Sequence, residues 1–185
     1  MARTPVPEAK LVDTEVGKKP EGDGWFVVNV SDAAAVASEN AGYAFLFEAA
    51  AARGRVFPHF GINVHVLQPG EPASLYHAEE TQEAFLVLRG ECRLIVEDEE
   101  RRLRQWDFFY SAPWTAHVIV GAGEGPCAVL MVGARNVGDG LVYPVSEPAG
   151  RYGASAVEET SSGPEAYGGA GWEQPEPARK PWPPE

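Results

Sequence analysis

At 185 residues and 44% hydrophobic composition, the chain is long enough for one domain with a buried core and too apolar to be disordered throughout. A formal net charge of -12 leaves no basic footprint, which excludes nucleic-acid and anionic-membrane partners. No run approaches the roughly 18 consecutive apolar residues of a membrane span, and the polar opening MARTPVPEAKLVDTEVGKKPEGDG lacks the apolar stretch of a signal peptide, so a cytoplasmic location is expected.

Residues 1–23 are polar and broken by Pro5, Pro7 and Pro20, so they read as an N-terminal arm. Residues 24–30, GWFVVNV, have the aromatic and β-branched content of a strand. Ser31 then reads as an N-cap, with Asp32 favourable in the first turn, for a short alanine-rich helix to about Ser38. Residues 43–47 read as a short strand and the alanine run at 49–52 as another helical turn. Residues 60–67, FGINVHVL, alternate cleanly and stop at Pro69-Gly70. After Gly90, ECRLIVE places Cys92, Leu94 and Val96 on one face, and the EDEE run at 97–100 is a solvated hairpin tip from which ERRLRQ returns. Residues 106–111 form an aromatic strand, 112–114 a turn, 115–121 a strand carrying His117, and 127–133 a closing strand apolar on both faces. Such a strand in a small antiparallel protein calls for a second sheet or a partner subunit over its outer side. From residue 147 onward, proline and glycine dominate and the chain reads as an extended tail, with Tyr167, Trp172 and Trp182 as anchors onto a groove.

Within this order, His77, Glu79, Glu83 and His117 form the one cluster of metal-type ligands spaced for a single site. On a strand over 74–79, Leu75, His77 and Glu79 share a face. Glu83 opens the AFLVL run on the face of Phe85 and Val87, and His117 shares a face with Thr115 and Ile119. Strands that curl around one interior bring all four together, with Leu75, Phe85, Val87, Leu94 and Ile119 as the core. Inward carboxylates are costly to bury unless they are paired or bind a cation. Glu79 has a second reading, as a solvated carboxylate at the barrel mouth or a general base. His65, on the face of Asn63 and Leu67, reads as a packing or interface histidine or as a cavity residue. Trp106, Tyr110 and Trp114 read as core or as pocket lining. Cys92 and Cys127 read as buried thiols, and no CxxC or Cys/His zinc spacing occurs.

This stretch resembles the cupin superfamily, whose motifs are G(X)5HXH(X)3,4E(X)6G and G(X)5PXG(X)2H(X)3N. His77, Glu83 and Gly90 match the first motif, with Glu79 at its second histidine. His117 matches the second, with Trp106 and Trp114 at its two glycines, Ala112 at its proline and Gly121 at its asparagine. The resemblance spans about 60–135. It implies an all-β double-stranded β-helix, a jelly-roll barrel, with one divalent metal and often a dimeric assembly. Three units are expected: an arm over 1–23, one domain over 24–146 beginning with the short helix, and the tail over 147–185 packed on the barrel or its partner. A set of two histidines and two carboxylates suits Fe(II), Mn(II), Zn(II) or Ni(II), one ion per chain. The expected function is a metal-dependent enzyme acting on a small polar molecule. The alternatives are a non-catalytic metal- or ligand-binding sensor or accessory protein, and a 2-oxoglutarate-type Fe(II) oxygenase using His77-x-Glu79 and His117 as a facial triad. Against the last, Arg135 is the first arginine after His117. A homodimer is expected from the two-faced strand at 127–133 and the aromatic segment at 24–30.

Overall fold

The computed structural model describes residues 4–22, 24–37, 42–48, 57–135 and 140–168, and the backbone of 176–177. Its strands are β1 (Lys10–Thr14), β2 (Gly17–Glu21), β3 (Ala34–Ala37), β4 (Tyr43–Leu46), β5 (Phe60–Leu67), β6 (Ala78–Glu79), β7 (Glu83–Arg89), β8 (Glu91–Val96), β9 (Glu99–Arg104), β10 (Phe108–Ser111), β11 (His117–Ala122), β12 (Cys127–Ala134), β13 (Leu141–Val142) and β14 (Glu176–Pro177). Two single helical turns, α1 (Glu147–Gly150) and α2 (Gly163–Ala166), follow β13. Among the described residues no helix is long and apolar enough to cross a membrane.

Seven strands pair antiparallel in the order β10-β7-β12-β5-β4-β3-β14, and three more in the order β11-β8-β9. Residues 70–77 extend the smaller sheet by running beside β11, through Gly70 N–H to Gly121 O, Ala73 N–H to Ile119 O and mutual bonds between His77 and His117. The barrel interior is what the two sheets bury between them: Leu67, Phe85, Val87, Cys127 and Val129 from one, Cys92, Leu94 and Ile119 from the other. This is the all-β double-stranded β-helix expected from the sequence. The period-2 pattern explains it, since these inward core residues are apolar and alternate with neighbours on the opposite face.

The opposite faces are also covered. Over the larger sheet, Ala35, Phe45, Val64, Val66 and Ala128 pack with Val28 and Val30, so the apolar second face of β12 is satisfied within the chain. Over the smaller sheet, Ile95, Val118 and Val120 pack with Tyr76, Ala149 and Ala154. The segment after β13 is therefore folded onto the barrel, and Tyr76 N–H donates to Ala154 O at 2.7 Å. Residues 172 and 182 lie outside the described residues.

Several local expectations give way to tertiary pairing. Residues 10–21, read as arm, form the β1–β2 hairpin, whose turn is held by Thr14 Oγ1 donating to Gly17 O at 2.6 Å. Residues 24–30 make one bridge, Glu8 to Trp25, rather than a strand. The alanine-rich helix is a single 3-10 turn, Val30–Asp32, capped by Asn29 rather than Ser31, and then β3. Alanine propensity is worth tenths of a kcal/mol per residue, less than a place in the sheet beside β4 with Ala34 and Ala35 buried. The alanine run at 49–52 lies outside the described residues. The strand at 74–79 shortens to β6, and Leu75 leaves the barrel core to pack with Tyr143 and Ala156.

Turns set the rest of the register. The β8–β9 hairpin turns on Glu97 (φ 48°) and Asp98 (φ 59°), both left-handed as a two-residue type I′ loop requires. At Gly90 (φ 73°) a Cβ would stand 2.7 Å from Pro126 O, so only glycine fits. Trp106 (φ 76°) and Trp114 (φ 65°) are left-handed as well. They occupy the two positions where the cupin motif has glycine, and both side chains are more than half exposed. The expected strand at 106–111 accordingly begins only at Phe108.

Two outcomes follow from this packing. Deleting residues 150–185 uncovers Tyr76, Ile95, Val118 and Val120, each worth roughly 1.5–3 kcal/mol of burial, so the thermal midpoint should fall by at least about 10 °C or the chain fail to fold; an unchanged calorimetric melt would contradict the packing. Trp106→Gly relieves about 1–2 kcal/mol of left-handed strain at roughly 0.5–1 kcal/mol of glycine chain entropy, so urea titration should show equal or slightly greater stability, whereas a loss above about 1 kcal/mol would mean the ring itself holds the turn.

Candidate metal centre

His77 and His117 face each other across an isolated antiparallel bridge, with His77 N–H donating to His117 O at 3.2 Å and His117 N–H to His77 O at 2.9 Å. Their rings are 5.2 Å apart. Each Nδ1 is committed to a nearby backbone carbonyl, that of Leu75 at 2.7 Å for His77 and that of Thr115 at 2.9 Å for His117. Ser111 Oγ lies a further 3.3 Å from His117 Nδ1. A carbonyl accepts, so Nδ1 carries the proton and Nε2 keeps its lone pair for the interior, the tautomer that a metal-binding histidine needs.

Glu83 opens β7 and points at the same place. His117 Nε2 and Glu83 Oε2 stand 3.1 Å apart, and both are buried without a hydrogen-bond partner. Such orphans cost about 1–3 kcal/mol each unless something pairs with them. Ligand atoms of His77, Glu83 and His117 all lie within 4.8 Å of one another. Two adjacent ligands, each about 2.1 Å from one ion, stand about 3 Å apart, so the donor set and its spacing fit a divalent cation. Phe85 and Phe109 pack against the His117 ring at 5.3 and 5.5 Å and shield this side from water.

Glu79 sits beside this group and outside it. Its Oε1 is 3.7 Å from His77 Nε2 and its Oε2 accepts from Thr81 Oγ1 at 3.0 Å, with a third of the side chain exposed. β6 holds its backbone through pairing with Leu141 in β13 and through Trp114 N–H at 2.6 Å. The Tyr143 ring lies tilted 5.9 Å from that of His77, and burial, with lesser contributions from Tyr167 and Glu79, pushes its phenol up to about 12. It is therefore a neutral wall with a hydroxyl, not a base.

The group opens onto a cavity of about 360 Å³ lined also by Asn63, His65, Met131 and Arg135. His65 is a cavity residue, as its strand face allows. Trp106, Tyr110 and Trp114, read as core or pocket, are neither: all three are exposed and none lines this cavity. Cys92 and Cys127 are free, fully buried thiols in the barrel core, and their mutual hydrogen bond and burial push the Cys92 thiol up. Sequence reasoning missed Ser111, which only the β10–β11 juxtaposition brings to His117, and Glu48, which pairs with Arg135 at 2.8 Å from 87 residues away.

Residues 63–133 match the model of the cupin domain family. No curated protein matches the chain. Among solved structures, a sugar phosphate isomerase of the cupin superfamily from Silicibacter pomeroyi is 26% identical over 46% of this chain and 62% of its own, with a TM-score of 0.41. The match thus spans less than two thirds of that protein. The polyketide cyclase RemF from Streptomyces resistomycificus is 15% identical over 58% of this chain and 78% of its own, with a TM-score of 0.48. A cupin family protein with a double-stranded β-helix from Methanocaldococcus jannaschii is 21% identical over 44% and 74%, with a TM-score of 0.40. The matched stretch contains His77, Glu79, Glu83 and His117, so the four candidate ligands all lie within a cupin domain over residues 63–133.

Proposed function

We propose that the chain is a metal-dependent enzyme acting on a small polar molecule, with one divalent ion of Fe, Mn, Zn or Ni held by His77, Glu83 and His117 and by Glu79 as fourth ligand. The observation that carries this reading is the pair of histidines with Nδ1 tied to carbonyls and Nε2 aimed, beside the orphaned Glu83 carboxylate, into one cavity. A bound ion would act as a Lewis acid toward an oxygen of the molecule. The chain's own part is to orient and to desolvate: Phe85 and Phe109 exclude water behind His117, and the Thr81 hydroxyl holds one Glu79 oxygen and leaves the other toward His77. Should Glu79 not ligate, that free Oε1 is the group at the cavity able to take a proton. The close group contains Glu83 rather than Glu79, which favours a ligand set built on Glu83 over a His-x-Glu facial triad. The two unpaired thiols fit the reducing cytoplasm.

A homodimer remains part of the proposal on a different footing. With the second face of β12 covered internally, the support is edge strand β10, where Phe108 is 64% and Tyr110 53% exposed.

Elemental analysis of tag-free protein should give about one metal per chain. Glu79→Gln should then weaken affinity for Mn(II) at least about tenfold by isothermal titration, since a neutral amide is the poorer donor, whereas Glu79→His should hold the ion well. Equal affinities of wild type and Glu79→Gln would assign Glu79 to the base role instead, and a stoichiometry near zero after loading would remove the site. Substrate screening of the loaded protein separates enzyme from sensor. Light scattering at micromolar concentration should give a dimer mass that Phe108→Glu reduces to a monomer; a monomeric wild type would end the dimer proposal.

A further inference from the structure

Beside the candidate ligands, the cavity has a floor of paired glycines and a cation at its far end. On the inner face of the larger sheet, Glu83 pairs with Gly133 and Gly133 with Gly61. At strand spacings of about 4.8 Å, Gly61 lies roughly 10 Å from the Glu83 backbone, with the Glu83 carboxylate reaching over Gly133 between them. Arg135 closes the row. A Cβ on Gly61 would stand 3.0 Å from Arg135 Nη2 and 3.4 Å from its Cζ and Nε, so the guanidinium lies over the glycine floor. The opposite edge is fixed, with Nη1 donating to Glu48 Oε2 at 2.8 Å and to Phe57 O at 3.0 Å. Glu48 is itself buried, so the guanidinium is held from behind by a matched charge. Asn63, one inward position along β5 from Gly61, also lines the cavity, and its buried amide oxygen has no hydrogen-bond partner.

We infer that Arg135 and Asn63 form an anion subsite for a small carboxylate-bearing molecule whose other end reaches His77, Glu83 and His117. A guanidinium edge presenting Nε and Nη2 together matches a planar carboxylate in a two-point contact. The amide beside it, whose oxygen and nitrogen are interchangeable by rotation, serves a neighbouring oxygen or hydroxyl. A cavity of about 360 Å³ with polar groups at both ends suits an acid of few carbons. The far end of the ligand rests on the metal centre proposed above; the subsite is made by the chain's own residues. Arg135 is then a specificity-determining residue, and Glu48 holds it in aim while competing for its charge.

Succinate is the probe, titrated calorimetrically into manganese-loaded and metal-free protein. Arg135→Gln alone would strand the buried Glu48, so the comparison uses Glu48→Gln and the double variant Glu48→Gln/Arg135→Gln, each checked for an unchanged fold by circular dichroism. Glu48→Gln, which frees the guanidinium from its carboxylate, should bind succinate several-fold tighter than wild type. The double variant should bind roughly tenfold or more weakly than Glu48→Gln, as loss of a charge-assisted pair predicts. Manganese affinity should be the same in all three. The dependence on Arg135 should persist, at lower affinity, without metal, so failure of the metal centre leaves this test standing. Equal succinate affinity in Glu48→Gln and the double variant, or no succinate binding by either loaded or metal-free Glu48→Gln, would overturn the subsite.

Discussion

The reciprocal backbone bonds between His77 and His117 are the constraint on which the site depends. They join the segment after the Gly70 turn to β11, and so extend the smaller sheet at the point where it faces the larger one. The same two bonds set the distance between the imidazoles, because residues that exchange both N–H···O bonds are fixed in register and side. Each ring is then oriented by a carbonyl two residues before it, from Leu75 and Thr115. Position and tautomer of both histidines are consequently backbone properties, and a change of side chain elsewhere in the barrel moves them little.

Around that pair the molecule is layered more deeply than a two-sheet sandwich. Both sheets bury residues on both faces: the N-terminal segment with Val28 and Val30 lies over one, and the segment carrying Ala149 and Ala154 over the other. This explains why β11 and β12 lack clean polar alternation in a largely antiparallel protein, where one solvated face is the common pattern. The second apolar face of β12, which suggested a partner subunit, is used inside the chain, while Trp25 and Val27 in the N-terminal segment and Phe108 and Tyr110 in β10 stay outward.

The cavity owes its shape as much to missing side chains as to present ones. Gly133 and Gly61 leave room between Glu83 and Arg135, and Arg135 fills the space above Gly61 that any Cβ would enter. The acidic balance of the chain and this cavity-lining cation are compatible because the buried Glu48 neutralises the guanidinium locally.

How much of this was legible depended on range. Strands β5, β7 and β8 follow from alternation in FGINVHVL, EAFLVLR and ECRLIV, and β12 from the short continuous apolar run CAVLMVGA, both local properties of the sequence. The spacing of His77, Glu79, Glu83 and His117 likewise sufficed to single out the ligand types, and the structure brings three of them into one close group. What the sequence by itself determined was therefore the barrel strands and the chemistry available to them. Only the tertiary structure decided that alanines 34 and 35 enter a sheet rather than a helix, that two tryptophans take left-handed turns where glycine is easier, and that Leu75 turns away from the barrel that His77 faces. It alone paired Glu48 with Arg135 and Ser111 with His117. The physical reason is that these outcomes rest on contacts between residues distant in the chain or on close approach of backbones, and neither leaves a period in the sequence to be read.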